Sequence, residues 1–355
     1  MLKNLVSFHR TLGVLIGGLA VWLSITGFLL LFESDYERWR HPTLGLPVLD
    51  SNSYSKVLTE IESSPKSPIL SVRFPEIGFN AFTVYYKGNT TKKAEKIIFE
   101  PISGQIISSG YWYQNLMSFI LRMHTQLLLP DEAEVIVGVA GILIVFTVCS
   151  GLYFWWAIRK KYPLRFVFKY PKKMSDWMRL HTVWGVIFSM VIIITVSTGS
   201  IMVFYKQTSN LIDWVTNQEP KRSNVFVEPQ DKKRVSWKEI LSVVERTFPE
   251  GQLTYYMPGK PKNAVLKFRK RLPGEWHPNG RSFIMINPYD ASVMQTIDAR
   301  NQPLGIQLLE KAYPVHIAFV GGVLYKTVVG VASFVVMGLA LSGFLYWRRK
   351  KLSDV

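Results

Sequence analysis

Four histidines set the chemistry that this chain can do. It has six in all, and four of them recur at matched offsets. His9 is followed by Gly13, by Thr26-Gly27 and by Phe32, and His181 by Gly185, Thr198-Gly199 and Phe204, at offsets 4, 17–18 and 23 in both cases. His124 precedes Val137-Gly138, Ser150-Gly151 and Trp155, and His316 precedes Val329-Gly330, Ser342-Gly343 and Trp347, at offsets 13–14, 26–27 and 31. The chain therefore reads as two copies of one unit, each carrying two histidines. Imidazoles bind metals and transfer protons. No Asp, Glu or Cys recurs beside them, so the zinc requirement for four ligands is unmet. Paired neutral imidazoles suit the two axial positions of a haem, whose porphyrin supplies the other four. The competing reading is that histidines at helix ends simply sit in the headgroup layer. His41 and His277 do not match each other and are read as surface or turn residues.

The elements that must position these residues are membrane helices. Uncharged runs cover Thr11–Phe32, Val135–Ile158, Thr182–Tyr205 and Thr327–Trp347, each long enough to cross a bilayer. The first is too long for a cleaved leader and is read as a retained span. The net charge of +17 is unevenly placed. Arg159–Lys173 holds seven Lys/Arg and no acid, and "RRKK" follows Trp347. The positive-inside rule puts these segments and both termini in the cytoplasm, so the basic excess reads as topology and not as nucleic-acid binding. Four spans then leave two long segments on the outer side.

Those outer segments resemble each other as well. Leu70–Lys87 aligns with Leu253–Lys270, and each is followed by a predicted hairpin, over Ile97–Ile107 and Phe283–Met294. Ser55–Glu62 and Ser236–Thr247 read as helices, the second with a capping-box start at Ser236 and Glu239. The expected architecture is a membrane α-helical protein: four transmembrane helices as two tandem parallel repeats, with two small α+β outer domains. Its segments are span 1 (1–32), outer domain 1 (33–110), an amphipathic segment (111–132), span 2 (133–158), a basic cytoplasmic loop (159–177), span 3 (178–205), outer domain 2 (206–302), a second amphipathic segment (303–323), span 4 (324–348) and a cytoplasmic tail (349–355). Two copies in parallel orientation imply a pseudo-two-fold axis along the membrane normal. That axis pairs histidines of equal depth, His9 with His181 and His124 with His316. Gly13, Gly17 and Gly185 share helix faces with their histidines and leave room for a flat macrocycle, although small faces also serve helix packing. Arg10, Arg122 and Arg179 stand one or two residues from histidines, where they are candidates to pair with haem propionates.

The signatures "FHRTLG…TG" and "MH…VG…SG", repeated as "LHTVWG…TG" and "VH…VG…SG", resemble the PepSY-associated transmembrane family, and "FEPISGQII" resembles its PepSY modules. The resemblance covers nearly the whole chain. It implies a di-haem inner-membrane reductase of the FoxB type, with two haem b groups on His9, His181, His124 and His316. The implied acceptor is a ferric siderophore or other Fe(III) chelate on the periplasmic side. No nucleotide-binding fingerprint is present, so electrons are expected from a separate cytoplasmic reductase or from quinol. The basic stretch Lys260–Arg281 offers a surface for an anionic chelate, against the plainer reading of a solvated charged strand. Two other functions remain open: a non-redox membrane protein that binds peptide or regulates a peptidase, and a siderophore or metal transporter. The spans carry no Asp or Glu to line an ion path, which argues against the transporter. The second hairpin, "INPYDAS", lacks the Gly that follows the turn in the first.

Overall fold

The computed structural model describes residues 2–41, 51–63, 68–76, 79–87, 94–111, 114–160, 164, 173–218, 220 and 224–353. Most of the basic loop (161–163 and 165–172) and Trp112, in the first amphipathic segment, lie outside them. The chain divides into two compact units, one of residues 1–32, 120–209 and 312–355, the other of residues 33–119 and 210–311.

The first unit is built on four long helices: α1 (Leu2–Leu30), α5 (Glu134–Ile158), α6 (Met174–Val203) and α11 (Gly322–Ser353). All four are long and apolar enough to cross a membrane. They form a ring in which α1 and α6 each pack on both α5 and α11. Small residues let α5 and α6 approach closely: the Ser200 hydroxyl donates to the Gly138 carbonyl at 3.1 Å, and a Cβ at Gly138 would run into Val203 and Phe204. The helices begin earlier than the uncharged runs. His9 and His181 each lie seven residues inside their helices, because charged side chains at a helix end do not stop the backbone hydrogen-bond ladder.

Short helices carry the other two histidines. His124 sits in α4 (Leu116–Gln126), and His316 ends α10 (Ala312–His316), which follows α9 (Leu304–Glu310). The chain turns after α4 at Leu127 and Leu128, both at positive φ. After α10 it turns at Ala318 and at Gly321-Gly322, all three at positive φ.

The second unit is built on a single sheet, with two helices packed on its core face. Strands β1 (Ile69–Arg73), β2 (Phe82–Tyr86), β3 (Glu95–Phe99) and β4 (Ile106–Tyr111) form one antiparallel meander. Strands β5 (Gln252–Met257), β6 (Leu266–Arg271), β7 (Ser282–Ile286) and β8 (Val293–Ile297) form another. The two stretches expected to make separate outer domains share one sheet, in the order β4-β3-β2-β1-β5-β6-β7-β8. Pairing of β1 with β5 removes two exposed edges. Helices α3 (Ser51–Ser63) and α8 (Trp237–Thr247) pack on each other and on this sheet. Tyr54, Leu58, Ile61, Trp237, Ile240 and Val244 enter its core beside Phe82, Tyr256 and Phe268. Ser236 caps α8 by accepting from the Glu239 N–H at 3.3 Å. Two further helices, α2 (Glu33–Arg40) and α7 (Tyr205–Thr216), follow spans 1 and 3 and have no counterpart among the elements expected from the sequence.

The turn without glycine keeps its geometry. Ala291 takes the position of Gly104, and both have positive φ, 55° and 75°. The same backbone bonds close both turns, Gly104 to Glu100 at 3.0 Å and Ala291 to Asn287 at 3.1 Å. Ala291 is buried in the core, in a left-handed conformation that costs a residue with a Cβ about 1 kcal/mol.

Candidate functional site

The four matched histidines meet as two pairs. His9 on α1 and His181 on α6, helices diagonal in the ring, have ring centres 6.2 Å apart with planes at 90°. His124 and His316 have ring centres 6.1 Å apart with planes at 43°. Along α1, His9 and the Gly27 that touches His124 are 18 residues apart, about 27 Å of helix, and His181 and Gly199 have the same spacing on α6. The pairs therefore lie near opposite ends of the bundle. His124 packs on Thr26 and Gly27 of α1 and His316 on Thr195 and Gly199 of α6, all within membrane-length helices.

The Ser/Thr-Gly dipeptides that mark the repeat are histidine cradles. Each ring lies against a glycine of the helix that holds it. A Cβ on Gly151 would stand 2.9 Å from His9 Cε1, one on Gly27 would stand 3.1 Å from His124 Cε1, and one on Gly199 would stand 2.6 Å from His316 Cε1. The fourth contact, Gly343 to His181, is looser at 3.6 Å. By contrast, Cβ atoms at Gly13, Gly17 and Gly185 would make only ordinary contacts of 3.6–3.9 Å with side chains, and none of the three touches a histidine.

The hydrogen bonds fix which nitrogen of each ring is free. His9 Nδ1 lies 2.9 Å from the Thr147 carbonyl, and His316 Nδ1 lies 2.8 Å from the Thr195 carbonyl. A carbonyl only accepts, so these Nδ1 atoms carry the proton. His124 Nδ1 meets the Thr26 hydroxyl at 2.9 Å, and His181 Nδ1 meets the Ser342 hydroxyl at 2.9 Å. Those hydroxyls already donate to helix carbonyls, Thr26 to Trp22 and Ser342 to Gly338. They accept from the imidazoles, so Nδ1–H is again the donor. In all four rings the Nε2 lone pair is left for a ligand-binding role, the arrangement by which outer partners orient metal-bound histidines.

The separation within each pair suits one metal ion. A metal–imidazole bond of about 2.0 Å and a further ~1.1 Å from nitrogen to ring centre place two imidazoles on opposite sides of one ion with centres about 6.2 Å apart. Among the described residues no group of three or more His, Cys, Asp or Glu could complete a protein-only metal site. The donor set fits a planar macrocycle that fills the remaining positions. A buried polar atom near the pairs adds to this fit. Trp155 Nε1, one turn beyond Gly151, lacks a partner. Arg10, Arg122 and Arg179 form no ion pair among the described residues. Cys149 on α5 is exposed and takes no part.

His277 is not a surface residue. It is buried in the turn before β7, and its Nδ1 accepts from the Asn279 N–H at 3.1 Å. Burial, with Arg281, Arg269 and Arg271 nearby, pushes it down to about 3. Within the basic stretch Lys260–Arg281 the cations are exposed or half-buried except one. Lys270 is fully buried and pairs with Glu245 on α8 at 3.1 Å.

Fold and site together describe a polytopic membrane protein with two histidine pairs and a separate antiparallel sheet unit. The chain belongs to the family of the PepSY-associated TM region, whose model matches residues 6–350. No curated protein matches it.

Proposed function

We propose that this chain is a di-haem b-type cytochrome of the bacterial cytoplasmic membrane that passes electrons across it to an Fe(III) chelate on the periplasmic face. The observation that carries the reading is the recurrence, at opposite ends of one helix bundle, of two imidazole pairs at metal-sharing separation, each ring with its Nε2 free. His9 and His181 would hold one haem, and His124 and His316 the other. Haem bound there supplies reversible one-electron exchange between Fe(III) and Fe(II). This chain's residues do the rest. Thr147, Ser150, Thr26, Ser342 and Thr195 hold the rings in one tautomer, and the apolar helices keep water from the iron. Arg10, Arg122 and Arg179 are the candidate partners for propionates. Charge placement sets both termini in the cytoplasm, which puts the His9–His181 pair at the donor side. Quinol or a cytoplasmic reductase supplies the electrons. One quinol gives two electrons and releases two protons, and each electron reduces one Fe(III) chelate to Fe(II), which hard oxygen donors hold less tightly.

Purified protein is examined by absorption, oxidised and dithionite-reduced, with haem counted per chain. Two b-type haems in wild type, and one in His9→Ala and in His316→Ala, is the expected result. A folded, monodisperse protein without haem overturns the proposal and favours a peptide-binding regulator.

A further inference from the structure

Strand β6 alternates sharply. Leu266, Phe268 and Lys270 are buried, while Lys267, Arg269 and Arg271 fall on the other face of the sheet. Strand register aligns a row on that second face. Arg73 of β1 lies opposite Tyr255 of β5, Tyr255 opposite Arg269 of β6, and Arg269 opposite Phe283 of β7. The row alternates guanidinium and aromatic ring across the seam between the two meanders. The Arg269 guanidinium stands 5.5 Å from the Tyr255 ring centre and 5.1 Å from that of Phe283, and Lys267 Nζ stands 4.0 Å from the Phe283 ring centre. Tyr255, Arg269, Lys267 and Phe283 all remain partly open to solvent.

Two cations of this face are left out of its ion pairs. Arg73 pairs with Glu76 and Arg281 with Glu310. Lys267 and Arg269 form no ion pair among the described residues, and the buried Arg269 Nε has no hydrogen-bond partner. The nearby acids are committed elsewhere, since Glu275 accepts from the Leu272 and Arg281 N–H groups and from Ser282. Burial and the neighbouring cations hold both groups below their ordinary range, Lys267 through Arg269 and Arg281, and Arg269 through Arg281. Glu310 and Glu275 lie near Arg269 but form no ion pair with it, and partly buried like charges that are incompletely compensated cost folding free energy, a local conflict that marks a functional surface.

The geometry points to a binding site on this sheet face for an anionic ligand carrying flat aromatic rings, of the ferric tricatecholate class, with Arg269 and Lys267 taking its negative charge and Tyr255 and Phe283 its rings. It rests on the proposed acceptor and names that acceptor's chemical class. Aliphatic trihydroxamate chelates, which offer neither the rings nor the negative charge, are poor matches for the row.

The test separates binding from reduction. Full-length protein in detergent is titrated calorimetrically with gallium(III) tris(2,3-dihydroxybenzoate), which is redox-inert, and with a gallium(III) linear trihydroxamate. Tricatecholate binding that Arg269→Gln and Tyr255→Leu each weaken by about tenfold or more is expected, with Arg269→Lys intermediate because it keeps charge but loses the planar fork. Arg246→Gln, which removes the same charge from the exposed side of α8, should leave binding unchanged. Equal affinity for the trihydroxamate, or wild-type affinity in monodisperse Arg269→Gln and Tyr255→Leu, overturns the site. Because gallium is not reduced, a haem-free preparation that still shows this variant pattern keeps the site and removes the reductase reading. A haem-loaded preparation that binds no tricatecholate removes the site alone.

Discussion

Adding one methyl group to each histidine cradle should give a graded result whose order is set by four distances. Carbon atoms in ordinary contact lie about 3.5 Å apart. The Cβ of Gly199→Ala would stand 2.6 Å from His316 Cε1, a deficit of about 0.9 Å. For Gly151→Ala against His9 the deficit is about 0.6 Å, and for Gly27→Ala against His124 about 0.4 Å, from contacts of 2.9 and 3.1 Å. Gly343→Ala stands 3.6 Å from His181 Cε1 and has no deficit. Each imidazole is pinned from behind by its Nδ1 hydrogen bond, so relief must come from tilting the ring off the partner axis. Overpacking of this kind costs about 1–3 kcal/mol, or about 5- to 150-fold in affinity for the bound group. Alanine in place of a helix glycine gains up to about 1 kcal/mol in propensity, so Gly343→Ala should be neutral or stabilising. The assay is haem per chain and the reduced-minus-oxidised spectrum, read beside thermal unfolding. Gly199→Ala should lose the haem of the His124–His316 pair and keep the other, whereas Gly343→Ala should keep both. Equal loss in the two variants, or no loss in either, would refute the cradle reasoning.

Three further outcomes are expected. Ser342→Ala removes the hydroxyl that accepts from His181 Nδ1, weakening imidazole donation, and redox titration should show one midpoint moving upward by a few tens of mV, given about 59 mV per tenfold change. Glu245→Gln strands the fully buried Lys270 ammonium and should lower the unfolding free energy of the sheet unit by about 1–3 kcal/mol, discounted for the partial exposure of Glu245, while Lys270→Met should cost less than that; thermal melting of the two variants checks the order. His277 is neutral in the fold with its value near 3, but an unfolded chain takes up a proton below about 6.5. The unfolded state then binds more protons, so stability should fall as pH drops from 6.5 toward 3, by about 2 kcal/mol at pH 5, and His277→Gln should flatten that part of the melting profile.

Much of the membrane unit is legible in the sequence because lipid imposes simple demands. Uncharged runs of spanning length locate α1, α5, α6 and α11. Equal offsets pair His9 with His181 and His124 with His316, and the folded chain brings the same residues together. Helix ends are less legible. The start of α1 at Leu2 and of α6 at Met174 follows from backbone hydrogen bonding, which charged residues do not interrupt. The four Ser/Thr-Gly dipeptides stand out as landmarks of the repeat, but their use as cradles does not. Each serves a histidine on another helix: Ser150-Gly151 of α5 lies 141 residues from His9. In the sheet unit the hairpins are readable from alternation, whereas the burial of Lys270 and His277 depends on partners brought in by α8 and by the turn before β7.

Sequence alone thus determined which residues recur, how many helices can cross a bilayer, and which histidines pair, because periodicity and length carry that information along one dimension. Tertiary structure decided the rest. It set the spacing of about 6 Å within each imidazole pair, the tautomer of each ring, and the fusion of two meanders through β1 and β5. These are contacts between residues up to 192 positions apart in the chain. They arise only when helices and strands pack, and composition along the chain does not encode that distance.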